Sequence, residues 1–153
     1  MKIFVGIDPG MAGAIALQTE LKSVVYDLPF LAKSFDVKAF QSCLFSLGKD
    51  VFVIIEELGI FGKGSIQSAT TSGKNYGKII AVLELADIPY QEVPSSKWKK
   101  MFCLIKKEKS DSCIIAKQLF PTHTFKTPRG RLLDGRAEAL LLSEYGKRIK
   151  WGV

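Results

Sequence analysis

The sequence has few of the residues that zinc sites and disulfide frameworks need. Its 153 residues include three cysteines and one histidine, and no two cysteines form a C-x-x-C pair. Zinc sites need clustered cysteine and histidine ligands, and cysteine redox motifs need a C-x-x-C pair, so neither is expected here. Cys43, Cys103 and Cys113 are predicted to be reduced and packed as small apolar side chains. His123, in "FPTHTF", is predicted to lie in a surface loop.

Long apolar runs are also missing. No stretch approaches the about 20 residues of a membrane-spanning helix, and "MKIFVGIDPG" lacks the apolar core and cleavage site of a secretory signal. We therefore expect an intracellular, cytoplasmic protein with no membrane partner. The P-loop pattern G-x-x-x-x-G-K-[ST] is absent, because Ser68 stands where its first glycine would precede Gly73-Lys74. No nucleotide cofactor is expected.

Positive charge is present in excess. There are 22 Lys and Arg residues against 15 Asp and Glu, a net charge of +7. Most of the excess lies in the second half of the chain, in "KWKK" (97–100), "IKKEK" (105–109), "KTPRGR" (126–131) and "GKRIK" (146–150). A basic surface favours phosphate backbones, since each neutralised phosphate releases counterions. Charge of this size is only weak evidence for nucleic-acid binding.

Apolar periodicity predicts an α/β protein with a mixed sheet flanked by helices. Strands are predicted at 2–8, 13–19, 23–29, 51–57 and 90–93. Helices are predicted at 36–48, about 67–87, 108–120 and 134–149, and a lysine-rich turn around Trp98 follows the last strand. The first and fourth strands are apolar on both faces, as central strands are. No linker divides the chain, so one domain is expected over residues 1–153.

Four acids stand where burial would make them costly. Asp8 and Glu56 each close an apolar strand, and Asp134 and Glu138 are four apart on one helix, one turn from each other. Functional groups of α/β sheets gather at the ends of central strands. Hard oxygen ligands without a Cys/His set favour Mg²⁺, with Mn²⁺ able to substitute. The alternative is that each acid merely caps a strand or lies on a solvated helix face.

Glu57 competes with Glu56 for the same role. Neighbouring strand residues face opposite sides of a sheet, so only one of the two can point at a metal ion from a regular strand. The sequence favours Glu56 and leaves Glu57 open.

The sequence resembles the RuvC-type Holliday junction resolvases, and fits best the compact branch found in phages. Five segments carry the resemblance: "GIDPG" (6–10), "VIIEE" (53–57), "SGKNYG" (72–77), "IPYQEVPSSKWKK" (88–100) and "DGRAEALLLSEYG" (134–146). Together they span nearly the whole chain. "GIDPG" is the weakest of them, because actin-like ATPases share it.

The resemblance implies a ribonuclease H-like fold with a five-stranded sheet, and a Mg²⁺-dependent homodimer that nicks four-way DNA junctions symmetrically. By position, Asp8, Glu56, Asp134 and Glu138 match the catalytic and metal-binding acids. Bacterial RuvC usually spaces its two closing acids three apart, whereas here they are four apart. Both spacings keep the pair on one helical face. The sequence preference of the bacterial enzymes at junctions should not, however, be transferred to this chain.

The same resemblance suggests which residues contact DNA. Phe61 could stack on an unpaired base at the junction centre, with ordinary packing of a loop aromatic as the alternative. Arg136 could offset the repulsion of the closing acids or contact the scissile phosphate. The predicted DNA-binding set is Phe61, Lys63, Ser72, Lys74, Asn75, Lys106, Lys107, Lys109 and Arg136.

Other functions remain open from sequence. A protein of this fold could bind branched nucleic acid without cutting it, although such a protein would gain nothing from four repelling acids. A ribonuclease H-like nuclease acting on RNA–DNA hybrids is a further alternative. An actin-like ATPase needs two nucleotide-clasping halves, for which 153 residues are too few.

Overall fold

The computed structural model describes residues 1–48, 50–59 and 64–151. Its strands are β1 Ile3–Asp8, β2 Ala14–Gln18, β3 Ser23–Asp27, β4 Phe30–Leu31, β5 Ser34–Phe35, β6 Val51–Glu56 and β7 Tyr90–Val93. Its helices are α1 Val37–Phe45, α2 Ile66–Leu85, α3 Ser95–Met101, α4 Lys109–Leu119 and α5 Asp134–Trp151.

Five strands form one mixed sheet in the order β3-β2-β1-β6-β7. The first three strands are an antiparallel meander, and β6 and β7 add to β1 in parallel. The two central strands, β1 and β6, are the ones that the sequence marks as apolar on both faces. The predicted α/β architecture, a ribonuclease H-like five-stranded sheet flanked by helices, is confirmed.

The alternating side chains of the central strands fill two separate cores. Phe4 and Ile54 pack with α3, α4 and α5 on one face of the sheet. Val5 and Ile55 pack with α1 and α2 on the other. Because strand side chains alternate, Asp8 lies on the face of Phe4 and Glu56 on the face of Ile54, the side that α5 covers.

Helix α5 sits on this face because glycines remove the side chains that would hold it away. A Cβ on Gly6 would collide with the carbonyl oxygen of Ala139, and one on Gly135 would collide with that of Ala12. The backbone of α5 therefore approaches β1 and the turn after it directly. This contact brings the first turns of α5 to the end of β1 that carries Asp8.

The helix boundaries follow the expected capping chemistry. The Asp36 side chain accepts a hydrogen bond from the Ala39 backbone N–H at the start of α1, and Ser65 accepts one from Ser68 at the start of α2.

Within the described ranges, no helix is long and apolar enough to cross a membrane.

Three local features of the structure differ from the sequence predictions or are missing from them. The segment around Trp98 is the short helix α3 rather than a turn, because Trp98 turns into the core and is fully buried. The small β4–β5 hairpin was not predicted, since two-residue strands leave no periodic signal. Cys113 is buried as expected, but Cys103 is exposed in the turn after α3.

Candidate active site

The end of β1 and the end of β6 place two carboxylates side by side. The parallel register pairs Ile7 with Ile55, so Asp8 and Glu56 are the next residues on adjacent strands. Glu56 is partly buried, whereas Glu57 is exposed. Of these two candidates, Glu56, the last residue of β6, is therefore the one that lies beside Asp8.

Helix α5 brings the other two acids to the same place. Asp134 begins α5 and Glu138 lies one turn later. Burial, together with the negative charges of Glu138, Glu56 and Asp134, raises the pKa of Asp8 to about 7, although the hydrogen bond from the Gly10 N–H acts in the opposite direction. Asp8 is thus close enough to each of the other three predicted acids for their charges to act on it.

Glu56 and Glu138 show the same electrostatic cost. Burial raises the pKa of Glu56, opposed by the Trp98 indole N–H and by the charge of Lys99. Burial also raises the pKa of Glu138, opposed by Lys99 and by Ser112. Carboxyl groups with raised pKa values at the ends of central strands are typical of functional sites.

Two lysines balance part of this negative charge. Lys109 Nζ lies 2.8 Å from Asp134 Oδ2, although 76% of the Lys109 side chain is exposed. Lys99 Nζ lies 3.9 Å from Glu138 Oε1. Lys109 was predicted to contact DNA, whereas Lys99 was not predicted at all.

The donor set matches a hard divalent cation, but the oxygens do not surround a common point. Among the residues that the structure describes, no three His, Cys, Asp or Glu side chains form a ready metal-binding group. Two of the carboxylates instead accept hydrogen bonds from neighbouring side chains. Trp98 Nε1 donates to Glu56 Oε2 at 2.7 Å, and Ser112 Oγ donates to Glu138 Oε1 at 3.3 Å. Four neighbouring carboxylates are nonetheless costly to keep negatively charged in a partly buried site, and a bound Mg²⁺ or Mn²⁺ ion would remove that cost.

Comparison with known proteins finds solved structures of the same fold but no related sequence. No protein-family model matches the chain, and no curated protein sequence does. A RuvC of Thermus thermophilus in complex with Holliday junction substrate matches with a TM-score of 0.66 and 16% identity, over 98% of this chain and 96% of that one. A second Thermus thermophilus RuvC structure matches with a TM-score of 0.58 and 16% identity, over 97% and 96% of the two chains. The chain has the RuvC fold.

On the RuvC fold of this chain, the predicted DNA contacts lie in different surroundings. Ser72 and Lys74 are exposed on α2, and Lys106 and Lys107 are exposed in the turn before α4. Phe61 and Lys63 lie outside the described residues.

Asn75 has a different role from the predicted one. Its side chain is 4% exposed, accepts from the Phe35 N–H at 3.1 Å and donates to the Lys33 carbonyl at 3.0 Å. The amide thereby fastens the β4–β5 hairpin to α2. Since both of its polar atoms are occupied inside the protein, we do not count Asn75 among the DNA contacts.

Arg136 also has another partner. Its guanidinium forms two hydrogen bonds with Asp27, 2.7 Å from Nε to Oδ1 and 2.8 Å from Nη2 to Oδ2. The Arg136 guanidinium lowers the pKa of Asp27 and ties the start of α5 to the end of β3. A cavity of about 260 Å³ beside this pair is lined by Asp134 and by Arg131.

Sequence reasoning missed Trp98 and Lys99 as members of the site. A signal was available, because a buried tryptophan needs a partner for its indole N–H and α3 follows the strand next to β6. Trp98 was interpreted only as an anchor to the core, and its full burial confirms that part.

Proposed function

We propose that the chain is a metal-dependent DNA endonuclease that resolves four-way junctions, and other branched DNA, by paired nicks. The observation that carries this proposal is the convergence of Asp8, Glu56, Asp134 and Glu138 at one end of the central strands. The RuvC fold and the net charge of +7 support DNA as the substrate. A related structure of the same fold is one bound to Holliday junction substrate.

The four carboxylates would hold Mg²⁺, with Mn²⁺ as a substitute. When bound, the metal would supply an activated water and stabilise the leaving oxygen of an in-line phosphodiester displacement. The products would carry a 5′-phosphate and a 3′-hydroxyl. Within the protein, the ends of β1 and β6 and the first turns of α5 bring these four side chains to one end of the sheet.

Basic residues around the acids would hold the phosphate backbone. Lys109 and Lys99 are already beside the carboxylates, and Lys106 and Lys107 continue the positive surface along the turn before α4. Such contacts position DNA without reading its bases. A protein that recognises the shape of a junction needs contacts of this kind.

Paired nicks require two sites, so we propose a homodimer. A two-fold dimer would match the near-symmetry of a four-way junction. Acting on intracellular DNA, the dimer would work in the cytoplasm, in host cells if the gene is carried by a phage.

A cleavage assay tests this proposal. Labelled four-way junction, fork, linear duplex and RNA–DNA hybrid are incubated with the protein and Mg²⁺. We expect symmetric nicks in the junction, weaker cutting of the fork, and none when Asp8→Asn replaces the wild type, while junction binding persists. Preference for the hybrid would assign the protein to the ribonuclease H-like alternative, and binding without any cleavage would make it a binding module.

A further inference from the structure

The indole of Trp98 is hydrogen-bonded to one of the four acids. Trp98 is fully buried, and its Nε1 donates to Glu56 Oε2 at 2.7 Å. The indole N–H is the only polar group of the side chain and can only donate. A neutral acceptor would satisfy it equally well, yet here it is directed at a carboxylate of the acid cluster.

The fold explains why Trp98 reaches this position. Strand β7 lies parallel to β6, and Glu56 is paired in register with Val93, the last residue of β7. Pro94 then caps the start of α3, and this helix carries Trp98 into the core beside the end of β6. Lys99, the next residue, extends to Glu138. One short helix thus contacts acids from two different elements.

A glutamate carboxylate needs such a contact to hold one orientation. The last side-chain torsion of glutamate, χ3, has a broad distribution, so packing alone does not fix the direction of the two oxygens. A hydrogen bond from a rigid, fully packed indole fixes that direction. Partners of this kind around metal-ligating carboxylates orient the ligand and affect metal affinity.

We propose that Trp98 is a positioning residue that orients the Glu56 carboxylate for divalent-metal binding. This inference rests on the proposed function, because it assigns Glu56 to a metal site. A purely structural Trp98 would stabilise the fold without affecting metal affinity. Loss of the indole N–H alone would therefore lower metal affinity if Trp98 positions Glu56, and would leave metal affinity unchanged if Trp98 is purely structural.

Trp98→Phe tests the inference, since it keeps an aromatic ring and removes the donor. Tyr76→Phe is the matched control: the Tyr76 hydroxyl donates to Glu92 Oε1 at 2.6 Å, so this variant also removes one aromatic donor from a glutamate, away from the acid cluster. Mn²⁺ binding is measured from the paramagnetic resonance signal of the free ion. Thermal unfolding in EDTA and the Mg²⁺ dependence of junction nicking are measured beside it.

We expect Trp98→Phe to weaken Mn²⁺ binding about 10-fold or more, and to raise the Mg²⁺ concentration for half-maximal nicking by a similar factor. Nicking at saturating Mg²⁺ recovers, and Tyr76→Phe binds Mn²⁺ as the wild type does. Unchanged Mn²⁺ affinity in a folded Trp98→Phe protein overturns the inference. Failure of the wild type to bind Mn²⁺ or to nick junctions would instead overturn the proposed function.

A measurement that keeps Trp98 covers the case in which Trp98→Phe does not fold. Trp151→Phe leaves Trp98 as the only indole in the chain. Its ¹⁵N-indole resonance is followed while Mg²⁺ is added. We expect the resonance to shift with the same midpoint as metal binding, and a resonance that stays fixed while Mg²⁺ binds would contradict the positioning role.

Discussion

Gly6 of β1 lies so close to Ala139 of α5 that a β-carbon on Gly6 would collide with the Ala139 carbonyl oxygen. This contact determines how far the acids of α5 stand from Asp8, two residues further along β1. The position of the site therefore depends on a residue that has no side chain.

Gly6→Ala should destabilise the protein strongly. The new methyl group meets backbone rather than a movable side chain, so we expect a loss of about 3 kcal/mol or more in the free energy of unfolding. Gly77→Ala is the control, because Gly77 lies inside α2 with open space around its Cβ position. Removing this helix-interior glycine should stabilise the fold by about 0.5–1 kcal/mol. Urea unfolding of both variants checks the prediction, and equal stabilities would contradict the close approach.

Asp8 should make the metal-free protein less stable as pH rises. Its pKa is raised from 3.8 to about 7 on folding, so between these values the folded protein keeps a proton that the unfolded chain has lost. Stability from this group is therefore fully present below about pH 4, is lost as pH rises to about 7, and changes no further above that. Asp8→Asn does not titrate.

The difference in Tm between Asp8→Asn and the wild type in EDTA should consequently grow between pH 4 and pH 7. With about 1.4 kcal/mol for one pKa unit and roughly 2–4 °C for one kcal/mol in a chain of this size, we expect a change of at least about 5 °C. Mg²⁺ should then raise the Tm of the wild type but not that of the variant. A difference independent of pH would show that Asp8 does not carry the raised pKa.

Asn75 and Lys74 are neighbours with opposite expected roles. Asn75→Ala leaves the Phe35 N–H and the Lys33 carbonyl without their partner, so we expect a loss of about 1–3 kcal/mol in stability and little change in the junction affinity of the folded protein. Lys74→Ala removes an exposed charge, so it should leave stability nearly unchanged, weaken junction binding and reduce its salt dependence. Unfolding curves and binding titrations at several salt concentrations separate the two. Weak binding by folded Asn75→Ala would restore the phosphate contact predicted from sequence.

The architecture follows from the sequence because burial leaves long, regular signals. The apolar runs before Asp8 and Glu56 identify the central strands, and the four-residue spacing of Asp134 and Glu138 places both on one helical face. Short or tertiary features leave no such signal. α3 is too brief for helical periodicity, and Asn75 finds its partners 40 and 42 positions away in a hairpin that only the folded chain forms. The partners of Lys99 and Lys109 depend likewise on packing between distant elements.

The central claim is that Glu56, with Asp8, Asp134 and Glu138, forms the reaction centre. Consecutive residues test it most directly, because Glu56→Gln and Glu57→Gln make the same chemical change at the last residue of β6 and at the residue that follows it. Nicking of a synthetic four-way junction in Mg²⁺ is measured for both variants beside the wild type. The account predicts that Glu56→Gln lowers the rate roughly 100-fold or more while Glu57→Gln nicks as the wild type does. Full activity in Glu56→Gln, or its loss in Glu57→Gln alone, would contradict it.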